Sequence, residues 1–96
     1  MPTKKDLVKR GDFNSKMDGI LDLTRQMLIS KNNQYQSAYS DLRKEYPEYI
    51  AIRLTEKLNR LKFQLRNGDD YVDSLFDIIG YCILELIDLS GGSNDT

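Results

Sequence analysis

The sequence has no histidine, no tryptophan, one cysteine and two prolines. Without histidine there is no imidazole to act as a base near neutral pH and no histidine-ligated zinc, so the commonest catalytic triads are excluded. A lone cysteine, Cys82, allows neither an intramolecular disulfide nor a thiolate metal cluster, which suits a reducing, intracellular home. It lies among Ile78, Ile79, Ile83 and Leu84, so the expectation is a buried structural thiol rather than a nucleophile. Nowhere do apolar residues run for the ~18 positions a membrane span requires. The first sixteen residues are basic and polar and lack the apolar centre of a signal peptide, so a soluble, cytoplasmic protein is expected. There is no Gly-rich phosphate loop, no internal repeat and no strand pattern.

What the sequence does contain is helical periodicity and charge. At 96 residues it is sized for one domain with a modest core. Charged residues make up 30% of the chain but nearly cancel, at net −1, which gives no reason to expect a general nucleic-acid or membrane-surface binder. The expected organisation is a basic N-terminal arm over residues 1–14, an all-helical domain over 15–89 and a flexible tail over 90–96 rich in Gly and Ser. In the arm, Thr3 and Asp6 are spaced to cap a short helical turn, ended by Gly11.

The expected fold is all-α: a compact bundle of about four helices, the last two forming an antiparallel hairpin. Asn14 or Ser15 is placed to cap a first helix to about Ser30, with Met17, Ile20, Leu21, Thr24, Met27 and Leu28 as its buried stripe. Asp18 and Asp22 lie four apart on its other side, as a solvated face or a place for a divalent cation. The polar run Lys31-Asn32-Asn33-Gln34-Tyr35-Gln36 reads as a loop or helix junction. Its amides and Tyr35 can serve a base or ribose, or simply cap the junction. Tyr35, Tyr39, Leu42 and Tyr46 then recur at helical spacing on a second, short helix that ends before Pro47.

Pro47 is suited to open a third helix running to about Arg66, with Ile50, Leu54, Leu58, Leu61 and Leu65 inward. Gly68 suits a left-handed C-cap, and Asp69 or Asp70 a cap for the last helix. In that helix Val72, Leu75, Ile79, Cys82, Ile83 and Leu86 form the expected core face. Phe76 and Ile78 make it apolar on more than one side, so part of it is expected to bury in a partner subunit of a homo-oligomer.

Charge segregates across this hairpin. Between Ile50 and Arg66 there are five basic residues and one acidic; between Asp70 and Leu89 there are five acidic and none basic. Arg53, Lys57 and Arg60 share one helix face, and Asp70, Asp73 and Asp77 share another. Two readings use the same residues. One is a seam of cross-helix salt bridges, each worth ~0–1 kcal/mol if exposed. The other is chemistry: Asp73 and Asp77, with Asp70 one turn earlier, hold a magnesium ion, while Lys57, Arg60 and Arg53 hold phosphate oxygens. Tyr81, one turn beyond Asp77, would then orient a water or a ribose.

The order Lys31-Asn32…Tyr35, then Lys57-Leu-Asn-Arg60-Leu61, then Asp73-Ser-Leu-Phe-Asp77-Ile-Ile-Gly-Tyr81 resembles the small, mostly phage-borne nucleotide modification associated domain. That family is in turn similar to the all-helical MazG-like nucleotide pyrophosphatases. The resemblance covers roughly Met17 to Leu89, and the last helix is its most specific part. It implies Lys31, Asn32, Tyr35 and Tyr81 as nucleotide contacts, Mg2+ as cofactor, and pyrophosphate release from nucleoside triphosphates by a metal-activated water. Gln34 and Gln36 stand where the family has an aspartate and a glycine, and only Asp18 and Asp22 replace a glutamate-rich first helix. A reduced metal set on a retained scaffold points to the alternative: a non-catalytic phage anti-defence or regulatory protein that captures a nucleotide or blocks a protein partner, in the host cytoplasm.

Overall fold

The computed structural model describes residues 2–91, apart from the side chains of 32–37. A single 3-10 turn, Lys4–Asp6, precedes three α-helices: α1 Phe13–Glu45, α2 Tyr49–Asn67 and α3 Val72–Gly91. The all-α class and the terminal hairpin are as the sequence predicts, and no strand occurs among the described residues.

The first two expected helices are one. α1 runs 33 residues through the polar segment at 31–36 without a break. Lysine and glutamine are good helix formers, and asparagine costs at most ~0.7 kcal/mol per residue. With no Gly or Pro between Ile20 and Glu45, extending an existing helix needs no new nucleus. Asp12 caps α1, not Asn14 or Ser15, through an Oδ1 that accepts the Ser15 N–H at 2.9 Å. After Glu45, Pro47 and Glu48 make the turn, so α2 begins two residues beyond the expected proline start.

α2 ends as predicted. Gly68 adopts φ +69°, its N–H turning back onto the carbonyls of Gln64 and Leu65. α3 then returns antiparallel, and α1 lies across the pair, its 27–28 segment against Gly80 and its 39–43 segment against 81–88. The core is small and aromatic. Tyr39, Tyr81 and Leu84 are buried together, with Leu28, Tyr49, Ile50 and Leu54 packed around them. Tyr39 meets Tyr49 edge-on at 5.4 Å between ring centres and Tyr81 at 6.2 Å. Val72 and Phe76 of α3 are buried as well.

Several expected core positions face outward instead. Met17, Ile20 and Leu21 of α1, Leu58 and Leu65 of α2, and Leu75 and Leu86 of α3 are exposed, as is Cys82. The buried side of α3 is defined by Val72, Phe76, Tyr81 and Leu84 with Ser74 and Gly80 among them, so its most regular apolar stripe is not its inner face. Polar pairing across the hairpin, described next, overrides the hydrophobic period there.

Gly68 has open space around it, so replacing it is a pure backbone test. Gly68→Ala is expected to lower unfolding free energy by roughly 1 kcal/mol, the cost of a Cβ in the left-handed region. Urea denaturation followed by circular dichroism measures it; an unchanged midpoint would show that the turn does not hold the hairpin.

Candidate functional site

The register of α2 against α3 is held at the turn end by a polar lock that spacing arguments did not single out. Ser74, fully buried, donates its hydroxyl to Gln64 Oε1 at 2.5 Å. The Gln64 Nε2 donates to Asp73 Oδ1 at 3.1 Å and to the Asp70 carbonyl at 3.2 Å. Gln64 is itself buried. The sequence holds no local signal for this pair, since glutamine and serine are usually surface residues.

From there the two charged faces meet rung by rung within one chain. Arg60 Nη2 donates to Asp73 Oδ2 at 2.6 Å and its Nη1 lies 3.8 Å from Asp77 Oδ2. Lys57 Nζ reaches the same Asp77 oxygen at 3.2 Å. One turn further, Arg53 donates from Nε at 3.1 Å and Nη2 at 2.7 Å to the Tyr81 hydroxyl, and its Nη1 pairs with Glu56 at 2.7 Å. The hydrogen bonds to Tyr81 come first among the influences that raise the Arg53 guanidinium's affinity for its proton. The ladder serves the structural reading directly.

Asp70 stands apart from Asp73 and Asp77. Its carboxylate accepts the backbone N–H groups of Lys4 and Val72, each at 2.9 Å, and these bonds hold it below its ordinary range. It is tied to the N-terminal segment and the start of α3, not to the acidic face. Asp73 already takes N–H groups from Gln64, Arg60 and the Ser74 backbone. Among the described residues no group of three or more acidic or thiol side chains is positioned to hold a metal ion. Asn32 and Tyr35 have side chains outside the described residues.

Five of the ten predicted site residues nevertheless line one cavity of about 250 Å³ where α1, α2 and α3 converge: Lys31, Arg53, Lys57, Asp77 and Tyr81. Met27, Leu28 and Gly80 complete it. Gly80 matters here because a Cβ at that position would come within 3.1 Å of Met27 Cε and 3.6 Å of Leu28 Cδ2. Its absence lets α1 close on α3 and leaves an apolar floor beneath three cationic side chains. Met27 and Lys31 also border a second, shallower hollow of about 390 Å³ with Pro2, Asp6, Leu23, Gln26 and Ser30. Arg60 and Asp73 lie outside the cavity lining, one turn toward the hairpin tip.

A second ionic cluster, absent from the predicted site, clamps α1 to the far end of α3. Arg43 grips Glu85 with two parallel bonds of 2.7 Å and reaches Asp88 at 3.2 Å. Tyr39 donates its hydroxyl to Glu85 at 2.8 Å, and Ser40 to Asp88 at 3.0 Å. The pattern Tyr39-Ser40-x-x-Arg43 opposite Glu85-x-x-Asp88 is legible only once the helices are known to be neighbours.

No protein-family model, curated protein or solved structure matches the chain. Among the described residues no helix is long and apolar enough to cross a membrane.

Two predictions follow from these networks. Removing Gln64's amide leaves the buried Ser74 hydroxyl without its acceptor, so Gln64→Leu is expected to cost about 1–3 kcal/mol. Gln64→Leu with Ser74→Ala should recover part of that loss; equal stability of the single and double variants would sink the lock. The second concerns pH. Arg43's hydrogen bonds, foremost, and Tyr39's hold the Glu85 carboxylate below its ordinary value against the opposing effect of burial. A carboxyl lowered in the fold contributes stability above its unfolded pKa of about 4.3 and loses it as pH falls through the lower folded value. Asp12 and Asp70, lowered by backbone N–H bonds, act with the same sign. Tyr39 is raised, first by burial and then by its bond to Glu85. Its contribution is present below its unfolded pKa of about 10 and is lost as pH rises beyond it. Thermal midpoints are expected to be flat between those limits and to fall on both sides, with Glu85→Gln flattening the acid limb. An unchanged acid limb in that variant would remove Glu85 from the account.

Proposed function

We propose that this protein binds a nucleotide without turning it over, holding the phosphates in the cavity between its three helices. The observation that carries the proposal is the convergence of Lys31, Arg53 and Lys57 on one cavity whose lining includes a single carboxylate, Asp77. Lys57 is paired there with Asp77 and Arg53 with Glu56, and the three cationic side chains converge over a floor of Met27 and Leu28, a partly desolvated place where charge-assisted bonds to phosphate oxygens are stronger than at an open surface. At about 250 Å³ the cavity is smaller than typical pockets enclosing a whole drug-sized ligand. The adjoining hollow past Met27 and Lys31, with Gln26 and Ser30 in its lining, is where the nucleoside would extend.

Binding is favoured over hydrolysis by the state of the carboxylates. A magnesium-dependent pyrophosphatase would need Asp73 and Asp77 as metal ligands. Asp73 is committed to Arg60, Gln64 and its own helix start, and Asp77 to Lys57 and Arg60. The nucleotide class, the phage setting and an anti-defence or regulatory role belong to this proposal through the resemblance to nucleotide modification associated domains. A homo-oligomeric state belongs to it through the exposed leucines of α3.

Calorimetric titration with ATP, ADP and AMP, in magnesium and in EDTA, with products followed by anion-exchange chromatography, tests the reading. The expected outcome is binding that survives EDTA, rises with phosphate number and releases no pyrophosphate. Lys57→Ala is expected to weaken it roughly tenfold, the loss of one charge-assisted contact. Pyrophosphate release that stops on chelation and in Asp73→Ala would establish the enzyme instead. No binding of any nucleotide would leave the charged residues as structural pairs alone.

A further inference from the structure

α3 has two unlike faces. Its four acidic residues, Asp73, Asp77, Glu85 and Asp88, all pair within the chain, with Arg60, Lys57 and Arg43. At ~100° per residue, the side opposite Asp73, Asp77 and Asp88 carries Leu75, Ile79, Cys82, Leu86 and Leu89 in one line, with Glu85 flanking Leu89. Leu75 is 40% exposed, Leu86 63% and Leu89 62%, and Cys82 is exposed too. No charge falls on that line, and the helix has no basic residue at all.

The steps along the line are four, three, four and three residues, the spacing by which two helices interlock side chains along a seam. They also read nearly the same in both directions from Cys82: a leucine seven residues away on each side, and Ile79 or Leu86 between. A two-fold interface requires a surface that complements itself, and a stripe symmetric about its midpoint meets that requirement for an antiparallel pair. The two ends of the stripe are unequal in shape. Leu75 stands in the wall of a groove of about 510 Å³ lined by Leu7, Leu65, Tyr71 and Val72 together with the charged Lys4, Asp69 and Asp70. About 16 and 21 Å along the helix, Leu86 and Leu89 protrude. A groove at one end and exposed leucines at the other are complementary when the second helix runs the opposite way.

We propose that two copies of this chain pair through α3, antiparallel, about a two-fold axis at Cys82, so that Leu89 of each copy packs at Leu75 and the groove of the other. Neutrality of the stripe lets two identical faces meet without repulsion. This inference rests on the homo-oligomeric part of the proposed function and gives it a geometry; the cavity proposed for the nucleotide lies on the other side of α3, so loss of nucleotide binding and loss of the dimer are separately measurable.

Sedimentation of the full chain and treatment with a short bis-maleimide test it together. The expected results are a species of twice the 11.1 kDa chain mass and rapid linkage through Cys82, the one cysteine. Leu86→Lys, at a position already exposed, should keep its helical circular dichroism while the dimer weakens by roughly tenfold or more. With Cys82→Ser, Leu75→Cys and Leu89→Cys combined, mapped cross-links should join position 75 of one copy to position 89 of the other. A monomer at the highest soluble concentration overturns the proposal, as does a dimer indifferent to Leu86→Lys. Links of 75 to 75 and 89 to 89 overturn the antiparallel arrangement.

Discussion

The register between α2 and α3 is the constraint on which the rest of the molecule depends. It is set at one end by Gly68, whose left-handed backbone turns the chain, and immediately beyond by the buried hydrogen bonds among Gln64, Ser74 and Asp73. Sliding α3 by one residue would rotate its side chains by ~100° and leave the Ser74 hydroxyl and the Gln64 amide buried without partners. The ion pairs further along are individually small contributors, because most are partly exposed. Their role follows from the register: once Gln64 and Ser74 are joined, Arg60, Lys57 and Arg53 come opposite Asp73, Asp77 and Tyr81 in turn.

That same register explains how the sequence was legible and where it was not. Element positions follow from punctuation the chain states openly: proline at 47, glycine at 68, periodic leucines between. The long α1 was harder, because its polar middle imitates a junction while costing too little to interrupt a helix flanked on both sides by helix. Assigning faces was harder again. In α3 the apolar spacing of Leu75, Ile79, Cys82 and Leu86 is more regular than that of the inner face, which mixes Val72, Ser74, Phe76, Gly80, Tyr81 and Leu84. Amphipathic period measures contrast around a helix and is blind to which side a neighbour occupies. The neighbour is chosen here by charge: all four acids of α3 point at the cations of α1 and α2.

The candidate site divides along the same line. Lys31, Arg53, Lys57, Asp77 and Tyr81 were reachable from spacing and resemblance, since helical faces carry residues three and four apart to one place. Asp70 was grouped with Asp73 by the same rule, yet it precedes the helix and turns to Lys4 and Val72, where helical spacing no longer applies. Arg43, Glu85 and Asp88 escaped notice because their partnership spans more than forty residues and has no local signature.

Asp77 is the point at which the structural and functional roles of these charges meet. One of its oxygens is shared by Lys57 at 3.2 Å and Arg60 at 3.8 Å, from successive turns of α2. Lys57 also borders the cavity; Arg60 does not. In the proposed site, a phosphate that drew Lys57 toward itself would leave the partly buried Asp77 with Arg60 still 3.8 Å away. Lysine suits the movable position, being a point charge on a flexible stem, while Arg60 keeps its own bond from Nη2 to Asp73 Oδ2. Under that proposal the hairpin would lend one cation to a ligand and keep its register with the other. That division of labour makes a seam of ion pairs compatible with an anion site in the same rungs.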